Sequence, residues 1–256
     1  MPRCCGDGAV TTRIAVLSDV HGNATALAAV RKAIAAAKPD AILIAGDHVL
    51  NGPEPAATVD AIRELEADGA LVVQGNTDIA VADYDWAAAF PWLEGPSDSI
   101  RVAAEWAHDA LGDERLDWLR RLPAERRLRV EDTLVLVTHA SPGSQTAGFD
   151  QALDPSVTIE RLSRTDARLI CCGHTHLPEV RDFGWKQVIN DGSAGYVFDG
   201  DPTASWALIE LDGEAVTTTI QRTEYDVLEV SNALSARGLP GDIYRAATVR
   251  TGKLVR

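Results

Sequence analysis

The chain has 256 residues, of which 46% are hydrophobic and 24% charged, a balance that suits a globular protein with a substantial core. Its net charge of -14, from 24 basic against 38 acidic residues, argues against a long nucleic acid as partner, because such binding draws on many Lys and Arg contacts to phosphate. No apolar run approaches the roughly 18 residues of a membrane span, and the opening MPRCCGDGAVTT lacks the apolar stretch of a signal peptide. Residues 1–11 therefore read as a flexible tail. The four cysteines form two adjacent pairs, Cys4-Cys5 and Cys171-Cys172, and not a spaced disulfide framework, so a reducing cytoplasm is the expected location. With no internal repeat or linker, residues 12–256 are expected to form a single domain; self-association is left open.

In chain order, RIAVLS (13–18) predicts a buried strand, followed by an alanine-rich helix over Asn23 to Lys38 that stops at Pro39. AILIAG (41–46) predicts a second strand, Pro55 to Ala67 a second helix, and ALVVQG (70–75) a third strand. Strands alternating with helices imply βαβ units and a parallel sheet. The stretch from 79 to 121 changes character: it carries Trp86, Trp92, Trp106 and Trp118 and reads as short helices broken at Pro91, Gly95-Pro96 and Gly112. It would form either a cap over a crevice or an added helical layer on the sheet. LRVEDTLVLVTH predicts a hairpin turning at Glu131-Asp132, ARLICCGHTH another strand, and SWALIEL with EAVTTTIQ a hairpin joined at Asp212-Gly213. Val227 to Ala236 and Asp242 to Thr251 read as terminal helices.

Polar clusters follow the strands. Asp19 and His21 follow the first, Asp47 the second, Asn76 the third, His139 a later one, and His174 with His176 another. In open α/β sheets, ligands bind beyond the carboxyl ends of the strands, so these seven oxygen and nitrogen donors are expected to meet in one crevice. The stretch CCGHTH (171–176) also suggests a four-ligand zinc knot. The donors available elsewhere favour the alternative, in which Cys171 and Cys172 belong to the strand and only the histidines face a metal.

The motifs DVH, GD, GNTD, TH and GHTH, spanning residues 19 to 176 in this order, resemble the signature of the calcineurin-like metallophosphoesterase superfamily. GDHVLNGPEP and INDGSAGYVFDGDPTASWALIEL further resemble its bacterial and archaeal branch of small phosphoesterases. The resemblance implies an α/β fold, a four-layer αββα sandwich of two mixed sheets flanked by helices, here with the Trp-rich insertion. It implies two divalent metal ions, manganese first among manganese, iron, zinc, cobalt and nickel. Asp19, His21 and His176 would hold one ion, Asn76, His139 and His174 the other, and Asp47 would bridge them. Asp47, Asn76 and His139 are the expected catalytic residues, and Asn23, Thr77 and Asn76 the expected contacts to substrate. The implied activity is hydrolysis of a small phosphomonoester, phosphodiester or nucleotide by a water bridging the two ions. Two ions about 3.5–4 Å apart can clamp both oxygens of an in-line displacement. A protein serine/threonine phosphatase and a non-catalytic binding module are the alternatives.

Two positions depart from the family pattern. Where many members carry a histidine after the asparagine, this chain has Thr77, which removes a general acid worth roughly 10²- to 10⁴-fold. Where the protein phosphatases carry an arginine, it has Asn51. His48 is a candidate replacement acid, although strand alternation would aim it away from the metals. Asp78 is read as a helix cap or a catalytic acid, His108 as a packing residue or a visitor from the cap, and Asn23 as a helix cap as well as a phosphate contact. Gly22 and Gly173 are expected to turn the backbone sharply, and Ser193 to help hold the His174/His176 loop.

Overall fold

The computed structural model describes residues 11–256, so the expected tail, Cys4 and Cys5 included, lies outside the described residues apart from Thr11. The strands form two five-stranded sheets. The first contains β1 (Thr12–Leu17), β2 (Ala41–Ile44), β3 (Leu71–Val72), β9 (Ala204–Asp212) and β10 (Ala215–Thr223), in the order β10-β9-β1-β2-β3. The second contains β4 (Glu125–Val130), β5 (Thr133–Thr138), β6 (Leu169–Cys172), β7 (Glu179–Asp182) and β8 (Gln187–Asn190), in the order β4-β5-β6-β8-β7. Both are mixed: β1, β2 and β3 run parallel, as do β5, β6 and β8, while the remaining strands pair antiparallel.

Side chains alternate across a strand, and β1 shows what this does to the layers. Ile14 and Val16 face the second sheet and pack with Val135, Val137, Leu169 and Cys171. Ala15 and Leu17 face the other way, onto α1 (Ala24–Ala37) and α2 (Pro55–Ala67). The outer face of the second sheet offers Leu136, Ile170 and Cys172 to α6 (Pro155–Leu162), through Leu162. The result is a helix–sheet–sheet–helix α/β sandwich. Cys171 and Cys172 are divided between two cores, both fully buried, and burial pushes both thiols up from their usual pKa. Both side chains are spent on apolar packing, and the zinc-knot reading of CCGHTH falls.

Three sequence expectations shift. The third strand is shorter than 70–75, although the Val73 amide still donates to the Ile44 carbonyl (3.0 Å) past its end. The last hairpin turns one residue later, with Asp212 paired to Ala215 and Gly213 taking the positive φ of 58° that the turn requires. The Trp-rich stretch yields α3 (Asn76–Asp83), α4 (Trp86–Ala89) and α5 (Asp98–Arg121), and α5 breaks its helical backbone at Gly112. Trp118 is buried and Trp86 and Trp106 partly so against the first sheet's helical layer, whereas Trp92 is exposed. The chain ends in α7 (Val227–Arg237) and α8 (Asp242–Thr251), packed on each other and on Tyr196. Among the described residues no helix is long and apolar enough to cross a membrane.

Candidate metal centre

The parallel strands of both sheets deliver their carboxyl ends to one place. Asp19 and His21 come after β1, Asp47 after β2, and Asn76 opens α3 after β3; His139 follows β5, and His174 and His176 follow β6. Five of these residues adopt left-handed backbone: Asp19 (φ 53°), His21 (52°), Asp47 (55°), His174 (70°) and His176 (59°). That region is costly for residues with a Cβ and concentrates at functional sites. Main-chain bonds hold the turns together: the Asp19 amide donates to the Gly46 carbonyl (3.0 Å), that of His21 to Asp47 (3.0 Å), and that of Gly173 to His139 (2.9 Å).

Two groups of donors result, and Asp47 stands between them. In the first, one ligand atom from each of Asp19, His21, Asp47 and His176 lies within 4.8 Å of the others, and all four residues are buried. His176 Nε2 is 3.2 Å from Asp19 Oδ1 and 3.1 Å from His21 Nε2. In the second, Asn76 Oδ1, His139 Nε2 and His174 Nδ1 lie 3.0 to 3.2 Å apart. Asp47 turns Oδ2 toward His21 Nε2 (3.6 Å) and Oδ1 toward His139 Nε2 (3.4 Å).

The donor chemistry fits cations. His139 Nδ1 donates to the Ala45 carbonyl (2.7 Å) and His176 Nδ1 to that of Tyr196, so in the neutral rings both Nε2 atoms are bare lone pairs aimed inward. Asn76 Nδ2 donates to the Ala89 carbonyl (3.1 Å), which leaves its Oδ1 aimed at the two imidazoles. Asp19 Oδ1 is buried without a hydrogen-bond donor. Lone pairs facing lone pairs at these distances call for positive charge between them. Charge directions agree. Burial would push the Asp19 carboxyl up, but His176 and His21 hold it well below its usual range. Burial opposes protonation of His21 and His139, yet the Asp47 and Asp19 carboxylates raise both. His174, buried and beside His139, is lowered to about 4 and stays neutral.

Other residues hold this arrangement. Asp78 helps cap α3, from its third position: its carboxylate accepts from the Gly75 amide (2.9 Å) and reaches across to the amides of Asp47 (3.1 Å) and His48 (2.9 Å). The Thr77 amide donates to Asp47 Oδ1 (2.9 Å), and its hydroxyl to the Val49 carbonyl (3.0 Å). Asn23, read as a helix cap as well as a phosphate contact, does cap α1: Oδ1 accepts from the Ala26 amide and Nδ2 donates to the Gly195 carbonyl, both at 2.9 Å. His48 turns away to the Val73 carbonyl (2.9 Å), and His108 donates to Val81 (2.7 Å) on the far side of α3. Ser193 donates to the Asp19 carbonyl (2.7 Å), whereas the His174/His176 turn is held by Asn190, through Gly173 (2.7 Å) and Thr175 (2.9 Å). Asn190 and its buried neighbour Asp191 lie in the family-like stretch INDGSAGYV but are not singled out there as site residues; their position at the end of β8, parallel to β6, is what brings them here.

Glycine is needed at Gly75 and Gly173 for close approach. Gly22 takes a positive φ of 73°, whereas at Gly173 the demand is for space. A Cβ on Gly173 would lie 2.1 Å from Asp19 Oδ2, and one on Gly75 2.1 Å from Asp47 Oδ1. Gly75→Ala is expected to cost about 1–3 kcal/mol in denaturant unfolding and to displace Asp47, so that added Mn²⁺ no longer raises the melting temperature.

The Trp-rich segment contributes both packing and contacts near the donors. Trp86, Trp106 and Trp118 pack, while Ala89 supports Asn76 and the Trp92 ring stands edge-on to His174 at 6.2 Å.

Residues 12–214 match the model of the calcineurin-like phosphoesterase superfamily domain. An uncharacterized protein of Methanocaldococcus jannaschii is 28% identical over 246 residues, covering 90% of this chain and 95% of its own. A metallophosphoesterase structure from Sphaerobacter thermophilus is similar over 95% of this chain and 100% of its own, with 29% identity and a TM-score of 0.73. A hypothetical protein from Pyrococcus horikoshii shares the fold, with a TM-score of 0.79 at 22% identity over 94% of this chain and 98% of its own.

Proposed function

The chain belongs to the calcineurin-like phosphoesterase superfamily, and on that basis we propose that it is a dinuclear, metal-dependent hydrolase of small phosphoesters. The observation that carries this reading is Asp47, whose two carboxylate oxygens face two separate sets of inward-aimed donors. Asp19, His21 and His176 would hold one ion and Asn76, His139 and His174 the other, with Asp47 shared. Mixed carboxylate, amide and imidazole donors suit manganese, iron, zinc, cobalt or nickel, and manganese is the first to test. Two such ions supply Lewis-acid neutralisation of phosphoryl oxygens and acidify water near neutral pH.

The chain's own part is to aim and to hold. The Ala45 and Tyr196 carbonyls fix the tautomers of His139 and His176, and Asp78 pins the main chain that presents Asp47. Among the described residues, the three side chains that could have replaced the missing histidine do not offer a proton to the leaving group. The Thr77 hydroxyl is donated to Val49, and the two histidines outside the ligand set, His48 and His108, are turned to Val73 and Val81. Substrates whose leaving groups depart as stable anions, aryl phosphate esters above all, are favoured for that reason. A protein phosphatase is disfavoured: Asn51 stands where that class carries its arginine, and it accepts from Arg245 Nε (3.1 Å).

Purified protein with Mn²⁺ is expected to hydrolyse p-nitrophenyl phosphate or its bis-ester, and chelation with EDTA to stop it. Mn²⁺ at 100 times its Kd should stabilise the fold by about 2.7 kcal/mol in thermal unfolding. No turnover of mono-, di- or cyclic esters with any divalent metal would reject the hydrolase; no stabilisation by any of them would favour a metal-free binding module.

A further inference from the structure

A cavity of about 500 Å³ opens beside the metal centre. Thr77, next to Asn76, lies in its wall, as do Tyr196 and Phe198. The Phe198 ring stacks on that of His176 with centroids 4.1 Å apart, and the Tyr196 ring stands 5.6 Å from that of His21. The cavity wall is therefore continuous with the ligand rings. Farther out, Phe90, Ile100 of α5 and Tyr244 of α8 complete it. The C-terminal wall lies beyond the residues matched by the family model, which end at 214. Among the described residues lining the cavity, the charged side chains are Arg245 and Arg256, so a phosphorylated ligand meets no carboxylate side chain there.

We propose that this cavity seats the aromatic part of the phosphoester, an aryl leaving group or the base carried on a nucleoside, and that α8 makes it selective for such rings. The inference rests on the phosphoesterase reading of the adjoining centre. The volume is that of a site for a small organic ligand. Four aromatic side chains, Phe90, Tyr196, Phe198 and Tyr244, offer faces and edges that a planar ring can stack against. The chemistry points the same way: a centre with Thr77 in place of a proton donor favours leaving groups that depart as stabilised anions, and aryl oxides do so.

The test compares wild type with Ile100→Trp, which fills the cavity, using Mn²⁺-loaded protein on p-nitrophenyl phosphate, AMP and methyl phosphate. Wild type should prefer an aromatic ester to methyl phosphate in kcat/KM, and the variant should lower that ratio at least tenfold, chiefly through KM. If Ile100→Trp fails to fold by circular dichroism, Tyr244→Ala, half-exposed on α8, takes its place with the same expectation at lower amplitude. A second readout uses no catalysis: saturation-transfer NMR with adenosine and, separately, p-nitrophenol, whose ring signals should be transferred by wild type and weakened by the variant. Which probe responds distinguishes a nucleobase site from an aryl site. Hydrolysis with no aromatic preference and no ring binding overturns the inference and leaves the phosphoesterase reading standing. Ring binding that the variant weakens, with no phosphoester hydrolysed, overturns the phosphoesterase reading and the leaving-group role with it.

Discussion

Asp47→Asn is expected to lower kcat/KM on p-nitrophenyl phosphate by on the order of 10²- to 10³-fold and to remove most of the stabilisation by Mn²⁺, read by steady-state kinetics and thermal melts. The substitution is nearly isosteric, so the main chain should stay in place: the amide oxygen can still accept from Thr77, as Oδ1 now does at 2.9 Å. What changes is the other arm. Asp47 Oδ2 faces His21 at 3.6 Å, and an amide NH₂ there would turn a donor toward a position that needs a lone pair. The site also loses one of its negative charges while its imidazoles remain. Activity within a fewfold of wild type would show that Asp47 does not join the two donor groups.

Asp242→Ala is expected to destabilise the fold by about 3–5 kcal/mol, because it strips the shared partner from two buried guanidiniums. Arg237 contacts Asp242 through Nη2 (2.6 Å) and Nε (2.9 Å), and Arg245 through Nη1 (3.0 Å); the three side chains are 2 to 7% exposed. Burial would push the Asp242 carboxyl up, but Arg237 and Arg245 hold it below its usual range. The same guanidiniums reach the loop after Asp47: Arg237 donates to the Gly52 (2.8 Å) and Asn51 (3.2 Å) carbonyls, and Arg245 to the Asn51 side chain. For a chain of this size the loss corresponds to a fall in melting temperature of roughly 6–20 °C. A change below 2 °C would mean that the C-terminal helices are not locked to this loop by the cluster.

The contrast between these two residues shows what a sequence can disclose. Asp47, like the other six candidate ligands, ends a strand or opens the turn after it, so hydrophobic runs and the motif beside them were enough to bring it to notice. The layers were legible for the same reason, since the unbroken apolar runs of β1 and β5 announce strands buried on both faces. Asp242 opens a helix at the far end of the chain, and nothing local ties it to Asn51 some 190 positions earlier. Asp78 is intermediate: its place in GNTD drew attention, but its contacts to Asp47 and His48 depend on how β2 and β3 pair. For Asn23 a cap and a phosphate contact call for the same short amide, and only tertiary structure shows that it caps α1 and donates to Gly195. At Gly173 the sequence says that a side chain is absent, not whether torsion or crowding demands it.

The left-handed backbone at five of the ligand residues has a consequence for how the centre accepts ions. Holding a residue with a Cβ in that conformation costs about 1–2 kcal/mol, and the main-chain bonds joining the Asp19, Asp47, His139 and Gly173 turns are what sustain it. Donors aimed by main chain behave as a stiff socket and not as arms that gather round a guest. Ions of similar radius should then exchange without refolding of the surrounding turns, and the metal carried would follow supply and fit more than any rearrangement by the protein.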